Sequence, residues 1–442
     1  MKPRLIFVFL LCLWSGAVVV GQGTVLDAYV QDALSQSPQL KEQSLRLEMS
    51  RLAVQEAKGY YLPEASFGGT YSLAAGGRSI SIPIGDLLNP VYSTLNQLTQ
   101  TNAFPQVENA EETFLPNNFY DARVRITQPV YNPDIRFQHK IRSEQVGLEQ
   151  DALAVQQRDL VRDVKVAYFQ FLQATDAVEI YDNALALLRE NYRLHEGLVR
   201  NGMAIPSTLI RIQGEISAVE SQRTEAVSRQ TLAQAYFNFL LGRPYETAIA
   251  ADPAFSELPP SDIVEEGRRE ELSQLETAGQ IKSLLVEKEK AYRQPRVGAQ
   301  LDLGSQNFNF EWGAYGILGL SVNVPLWDGA RHSKRLQQAE VDLLANEAQR
   351  EWAGRQIDLQ ILQARQSLQS SVLVSQSYGP QLLSARRYYD ETQRRFRENQ
   401  ANYIEILDAR TQLTNLEVQE SISRYQAWIH YAELQRATAT PF

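Results

Sequence analysis

"LSVNVPLWDGARHSKRLQQAEV", Leu320 to Val341, changes character twice. It alternates apolar and polar residues as a strand does, breaks at Pro325 and Gly329, and continues as a charged stretch with helical spacing. The stretch "VRITQPVYNPDIRFQHKIRSEQV", Val124 to Val146, runs through the same order of events 196 residues earlier. A strand-to-helix joint used twice in one chain asks for an internal repeat.

Two offsets confirm the repeat. A shift of 196 pairs Val124 with Leu320, Ile126 with Val322, Pro129 with Pro325 and Tyr131 with Trp327, while a shift of 232 pairs Leu40 with Leu272, Leu52 with Leu284, Tyr60 with Tyr292 and Pro63 with Pro295. The offsets differ because Pro63 to Pro129 spans 66 residues and Pro295 to Pro325 only 30. The chain therefore reads as a tandem duplication of helix, strand, loop, strand, long helix, helix. The loop between the first pair of strands, Ala75 to Asn117, is rich in Ser, Asn, Thr and Pro and is expected to be exposed.

Four stretches alternate with period two. Tyr120, Ala122, Val124 and Ile126 oppose Asp121, Arg123, Arg125 and Thr127; Leu318, Leu320, Val322 and Val324 oppose Gly319, Ser321 and Asn323. Val297, Ala299, Leu301 and Leu303 oppose Gly298, Gln300 and Asp302, and "EASFGGTYSL" carries the weakest signal, with Ala65, Phe67, Gly69, Tyr71 and Leu73 on one side. One apolar and one polar face suits a lipid-facing, water-lined barrel, and it equally suits a half-buried soluble sheet. Two other segments, Pro133 to Arg200 and Arg331 to Asn399, hold few helix breakers, among them Gly147 in the first and Gly354 and Gly379-Pro380 in the second. Each would be a helix on the order of 100 Å long, which needs a partner along its flank. In the first, Val164, Phe171, Val178, Leu185, Tyr192 and Val199 recur every seven residues, with Ala167, Ala174, Tyr181, Leu188 and His195 between them, as in a coiled-coil seam. Ile357, Ile361, Ala364 and Leu368 keep a similar alternation in the second.

Composition narrows the function. With 43 basic against 52 acidic residues, the net charge of −9 on the 442-residue chain argues against a nucleic-acid binder, which would normally show a basic face. Lys2 and Arg4 precede an apolar run from Leu5 to Leu13 and a small-residue stretch, the pattern of a secretory signal peptide over residues 1–21. Cys12, the single cysteine, lies inside it, so disulfides, thiolate catalysis and cysteine metal sites are not expected of the mature chain. Downstream no stretch is apolar enough for a membrane helix, so a membrane-spanning form would have to use strands. The reading divides the chain into the signal peptide, a first repeat over 22–247, a linking segment over 248–265 and a second repeat over 266–442. The first repeat has strands about 64–74 and 118–128 and helices about 133–200 and 207–241; the second has strands about 296–304 and 314–325 and helices about 331–399 and 404–436.

Each half supplies one hairpin, and four strands cannot close a barrel. At this point the sequence resembles the TolC family of outer membrane efflux proteins over essentially the whole mature chain. The resemblance rests on the duplicated order and on "VPLWDGA" (324–330) with its partner "TQPVYNP" (127–133). It rests also on "YLPEASFGG" (61–69), "QPRVGAQLDLG" (294–304) and the helix tip "NYIEILDARTQL" (402–413). It implies an α+β membrane protein: a homotrimer whose twelve strands form one transmembrane β-barrel in outer membrane lipid, continued by a long periplasmic α-helical coiled-coil barrel. It also implies a periplasmic adaptor, an inner-membrane pump and a passive, porin-like exit duct for small molecules or exported polypeptides. No cofactor and no enzyme activity are expected. The alternative class is a secreted or periplasmic coiled-coil structural or adhesive protein without a pore, which would have no use for strand hairpins.

The resemblance also places a gate. Some family members carry two acidic residues three apart near the tip, which ring the tunnel and favour cations; Glu405 and Asp408 match them. The family's basic residue four positions before the first acid is Ala401 here, and the first-half tip has Thr208 and Arg211. Glu405 and Asp408 equally fit carboxylates favoured at a helix start. Pro129, Tyr131, Pro325, Trp327, Asp328 and Gly329 are the expected strand-to-helix joints, with each proline ending its ladder and Asp328-Gly329 starting the turn. Trp312, Tyr315, Tyr71 and Tyr120 are candidates for an aromatic girdle. His139, His195, His332 and His430 show no metal-ligand spacing.

Overall fold

The computed structural model describes residues 24–260, 267–398 and 400–441. The expected signal peptide, the end of the linking segment and Asn399 lie outside the described residues. The elements are α1 (Val25–Gln36), α2 (Pro38–Gly59), β1 (Glu64–Ser72), β2 (Ser79–Ile82), α3 (Ile84–Thr99), β3 (Ala110–Thr113) and β4 (Phe119–Tyr131), followed by α4 (Pro133–Arg200) and α5 (Pro206–Leu240). After a 3₁₀ turn at Pro253–Ser256 come α6 (Glu270–Lys290), β5 (Arg296–Phe308), β6 (Ala314–Asn323), α7 (Arg331–Arg397) and α8 (Tyr403–Ala437). The chain divides into two compact units.

The unit formed by Glu48–Leu148 and Glu276–Ala348 holds the strands. They make one antiparallel sheet in the order β1-β4-β5-β6, so β1 and β6 each keep one edge without a strand partner among the described residues. Register fixes the faces: Phe67 lies opposite Val124, Val124 opposite Leu303, and Leu301 opposite Leu318, which builds one apolar face whose side chains are largely exposed. The segment between β1 and β4 is not a plain loop. Its ends pair as β2 and β3, from Ser79 opposite Thr113 to Ile82 opposite Ala110, around the sixteen-residue helix α3. The Ser, Asn and Pro content masks that helix, and Pro90 stands inside it.

The two joints differ from each other. β4 does not stop at Pro129; it runs to Tyr131, with Pro129 paired to Gly298 and a register shift between 129 and 131 that takes up the missing N–H. β1 has already ended opposite Thr127, and pairing with β5 alone carries the strand past the proline. Asn132 then accepts a hydrogen bond from the Asp134 amide at 3.0 Å, and Pro133 opens α4 at the position where its lost donor is harmless. In the second joint Pro325 does not end the ladder either. β6 stops at Asn323, because its partner β5 begins at Arg296, and the chain travels from Val324 to Ala330 before α7. There Gly329 and Ala330 adopt φ of 71° and 63°, and the Asp328 carboxylate accepts from the His332 amide at 2.8 Å. β5 extends four residues beyond the expected 304, as far as Phe308, because β4 pairs with it to its end at Phe119.

The second unit, which runs to Leu47 and includes Glu149–Leu275 and the chain from Gln349 on, is helical. The heptad seam of α4 is its core line: Val164, Ala167, Phe171, Ala174, Leu185, Leu188 and His195 are buried. Around Tyr168 the seam packs against Leu26, Val30, Phe237, Leu241, Tyr425 and Ile429. Tyr168 donates to the Ala250 carbonyl and accepts from the Asp252 amide, both at 2.9 Å, so the segment after α5 is tied to α4 by a buried phenol.

A second tie joins α6 to α8. The Glu271 carboxylate accepts from Arg269 at 2.8 Å and from Arg436 at 2.6 Å, and Arg436 also reaches Asp159 at 2.7 Å. Burial alone would raise the Glu271 carboxyl, but the hydrogen bonds from Arg269 and Arg436 outweigh it and lower the value from 4.5 to about 2. Since the folded value is depressed, the stabilisation is complete above pH 4.5 and is lost as pH falls through about 2. Glu271→Gln should therefore cost on the order of 2 to 3 kcal/mol at neutral pH. Thermal unfolding of the two proteins in detergent, compared across that window, should show the gap narrowing towards acid.

Candidate functional site

Two clusters bring charged residues together, one in each unit. On the sheet the polar face is formed by Asp121, Arg123 and Arg125 of β4, Gln300 and Asp302 of β5 and Tyr315 of β6. Arg125 meets Asp302 in a two-pronged pair, Nε to Oδ1 at 2.9 Å and Nη2 to Oδ2 at 2.8 Å, and Gln300 donates to the same carboxylate at 2.9 Å. Arg123 pairs with Asp121 at 2.9 Å, and the Tyr315 hydroxyl donates to the other Asp121 oxygen at 2.8 Å. Each acid thus has an arginine, and Asp302 is only 4% exposed. Gly304 stands beside Arg123, where a Cβ would come within 2.8 Å of the Arg123 Cβ and 2.6 Å of the Ala122 carbonyl oxygen. The missing side chain lets the arginine lie against the sheet.

Tyr315 therefore belongs to the polar face and not to an aromatic girdle. Tyr71 and Tyr120 do lie at one end of the sheet, each stacked on Phe310 with ring centroids 5.1 and 5.6 Å away, and Trp312 beside them is exposed. At the other end, Trp327 is 86% exposed, Leu326 is nearly as open, and Tyr131 donates to Gln294 at 2.7 Å.

The second cluster is the end of the helical unit where α4 turns into α5 and α7 into α8. Its core joins four helices: Leu185 and Leu188, Ile212 and Ile216, Ala385 and Tyr389, and Tyr403, Ile406 and Leu407. His195 is buried there, its ring 3.9 Å from that of Tyr403 and 5.8 Å from Phe396, and its Nδ1 lies 2.9 Å from the Asn191 carbonyl. That geometry makes Nδ1 the donor. Burial pushes the Tyr403 phenol well above the usual tyrosine range, so it stays neutral.

Glu405 and Asp408 both stand on the first turns of α8 but do different things. The Glu405 amide donates to the Asn402 side chain at 3.0 Å, and the Glu405 carboxylate accepts from the Asn402 amide at 3.4 Å, a capping box. Asp408 is 66% exposed and lies 3.7 Å from Arg211 of α5. Three residues further on, Thr411 donates to the Glu215 carboxylate at 2.7 Å. The sequence exposes both acids and Arg211, but the Asp408–Arg211 pairing spans almost half the chain and has no local signal. The capping box was visible as Asn402 followed three residues later by Glu405.

No protein-family model matches the chain and no curated protein matches it. Solved structures do. The outer membrane protein VceC of Vibrio cholerae superposes with a TM-score of 0.72 at 15% identity, covering 94% of this chain and 96% of its own. The Campylobacter jejuni CmeC outer membrane channel gives 0.75 at 12% identity, covering 94% and 85%. The open state of the Neisseria gonorrhoeae MtrE outer membrane channel gives 0.76 at 13% identity, covering 94% and 89%. The chain has the protomer fold of an outer membrane channel. Within that class it is the fold implied by the resemblance to the TolC family.

The cap and the ion pair at the tip should separate by experiment. Asn402→Ala should cost about 1 kcal/mol at the start of α8, read as faster cleavage near residue 402 by an added protease. Asp408→Asn should leave that cleavage rate unchanged, because an exposed pair is screened by solvent.

Proposed function

We propose that this protein is a trimeric outer membrane exit duct. The observation that carries the reading is the four-stranded sheet, with an exposed apolar face, a charge-paired polar face and two edges that have no strand partner among the described residues. Backbone groups at such edges cannot be left bare in lipid. Three chains side by side, β6 of one against β1 of the next, pair every edge and close a barrel with the apolar face towards lipid and the Arg–Asp pairs towards water. The long helices leave the sheet at one end and continue the wall on the periplasmic side. A periplasmic adaptor and an inner-membrane pump meet the helix tips and supply the energy; the duct itself catalyses nothing. The likeness to channels across 94% of the chain supports this reading.

A finer part of the proposal concerns selectivity. Glu405 and Asp408, repeated by three chains, ring the tip and favour cations, and Arg211 tempers that field through its contact with Asp408. Pro129 with Tyr131 and Pro325 to Gly329 carry the wall from lipid to periplasm, and the exposed Trp327 and Leu326 sit at the interface.

Extraction of the full chain from outer membranes in detergent should yield a particle with the mass of three chains and heat-modifiable migration in gels. Recovery as a soluble single-chain rod would reject the duct. In planar bilayers, Glu405→Gln with Asp408→Asn should lower the preference for cations, and Arg211→Ala should raise it; unchanged ratios in both would remove the tip from the account of selectivity.

A further inference from the structure

The segment between β1 and β4 carries an apolar helix face that the described residues leave uncovered. One side of α3 is stitched to the returning chain by asparagines. Asn89 exchanges two hydrogen bonds with the Val107 backbone, at 2.9 and 2.8 Å, and Asn96 does the same with Phe104, at 2.8 and 3.0 Å. Gly85 is buried against Val107, where a Cβ would lie 2.3 Å from its carbonyl oxygen, and Asp86 is held by Asn109. These contacts fix the rotation of the helix. Ile84, Leu87, Leu88, Val91 and Leu98 then fall on the opposite side, at i, i+3, i+4, i+7 and i+14, with Leu87 70% and Leu98 77% exposed.

Register places this helix. Phe119, where β4 begins, pairs with Ser72 at the end of β1 and with Phe308 at the end of β5, so the insert and the β5–β6 turn share one end of the sheet. Asn118 and Asn309 bond to each other across the two connections at that end. Helices α4 and α7 follow the opposite end of β4 and β6. The insert also leaves from β1, an edge strand, so it rises at the seam where a neighbouring chain must pair.

We propose that the apolar stripes of α3 from the copies in one assembly pack against each other as a cap over the outer mouth of the barrel. The inference rests on the trimeric reading. Charge decides against the bilayer as occupant: helices that lie on anionic lipid carry Lys and Arg on their polar face, whereas α3 has Asp86 as its one charged residue. Across 75–117 there is one basic residue, Arg78, against Asp86, Glu108, Glu111 and Glu112. The stripe itself is uncharged, so its chemical complement is a second copy of itself, and an exposed apolar stripe of this size calls for cover.

Cysteine cross-linking in the full-length protein tests the cap. Val91→Cys and Leu98→Cys, each made separately and oxidised in detergent-extracted particles, should shift from monomer to covalent dimer on non-reducing gels. Gln97→Cys, exposed on the same helix but off the stripe, should stay monomeric. Particles with the mass of three chains in which neither stripe cysteine cross-links would overturn the cap while leaving the trimer in place, as would equal cross-linking of Gln97→Cys. Quenching by brominated lipid of a bimane label carried by the Val91→Cys variant would assign the stripe to the bilayer and overturn the cap as well. A mass of one chain would overturn the trimeric reading itself.

Discussion

Hydrogen-bond balance in the sheet governs the rest of the molecule. β4 and β5 have partners on both sides, but among the described residues β1 and β6 each present an edge with no strand paired to it. In water such an edge invites aggregation; in a bilayer it is untenable. The same sheet turns Phe67, Leu318, Leu320 and Val322 outward on one face. Both features resolve together when identical chains meet edge to edge, because closure satisfies the backbone and directs the apolar face to lipid in one step.

The polar face follows from the same logic. Arginine and aspartate on adjacent strands are admitted there because each charge finds a partner across one rung of the ladder or along its own strand, and glycine at 304 gives Arg123 room. A face built this way is nearly neutral. In the helical unit the demand is different: helices of 68 and 67 residues bury one seam each, the buried Tyr168 ties the segment after α5 to α4, and the half-buried Glu271 ties the start of α6 to α8.

Much of this was legible in the residues. Period-two alternation located all four main strands, and the breaker-free segments located the long helices, because both signals are local and repeat many times. The joints were found but misread: Pro129 and Pro325 look equivalent in sequence, yet one lies in a central strand with a bulge and the other beyond the end of an edge strand. What a proline does to a ladder depends on its partners, which a single strand does not reveal. The helix α3 escaped notice because its inward side is made of Asn, Ser and Gly, residues that mark loops unless something distant accepts their hydrogen bonds.

By itself, the sequence determined the order of the four main strands and the long helices, the two faces of those strands and the seam of the first long helix, since periodicity depends only on neighbouring residues. It also presented Glu405, Asp408 and Arg211 as charged groups near two helix tips. Only the tertiary structure decided that Glu405 caps its own helix while Asp408 meets Arg211, that Arg125 clasps Asp302, and that α3 turns its apolar side outward. Those pairings join residues up to 197 positions apart, and no local pattern encodes a partner that the chain meets only after it has folded.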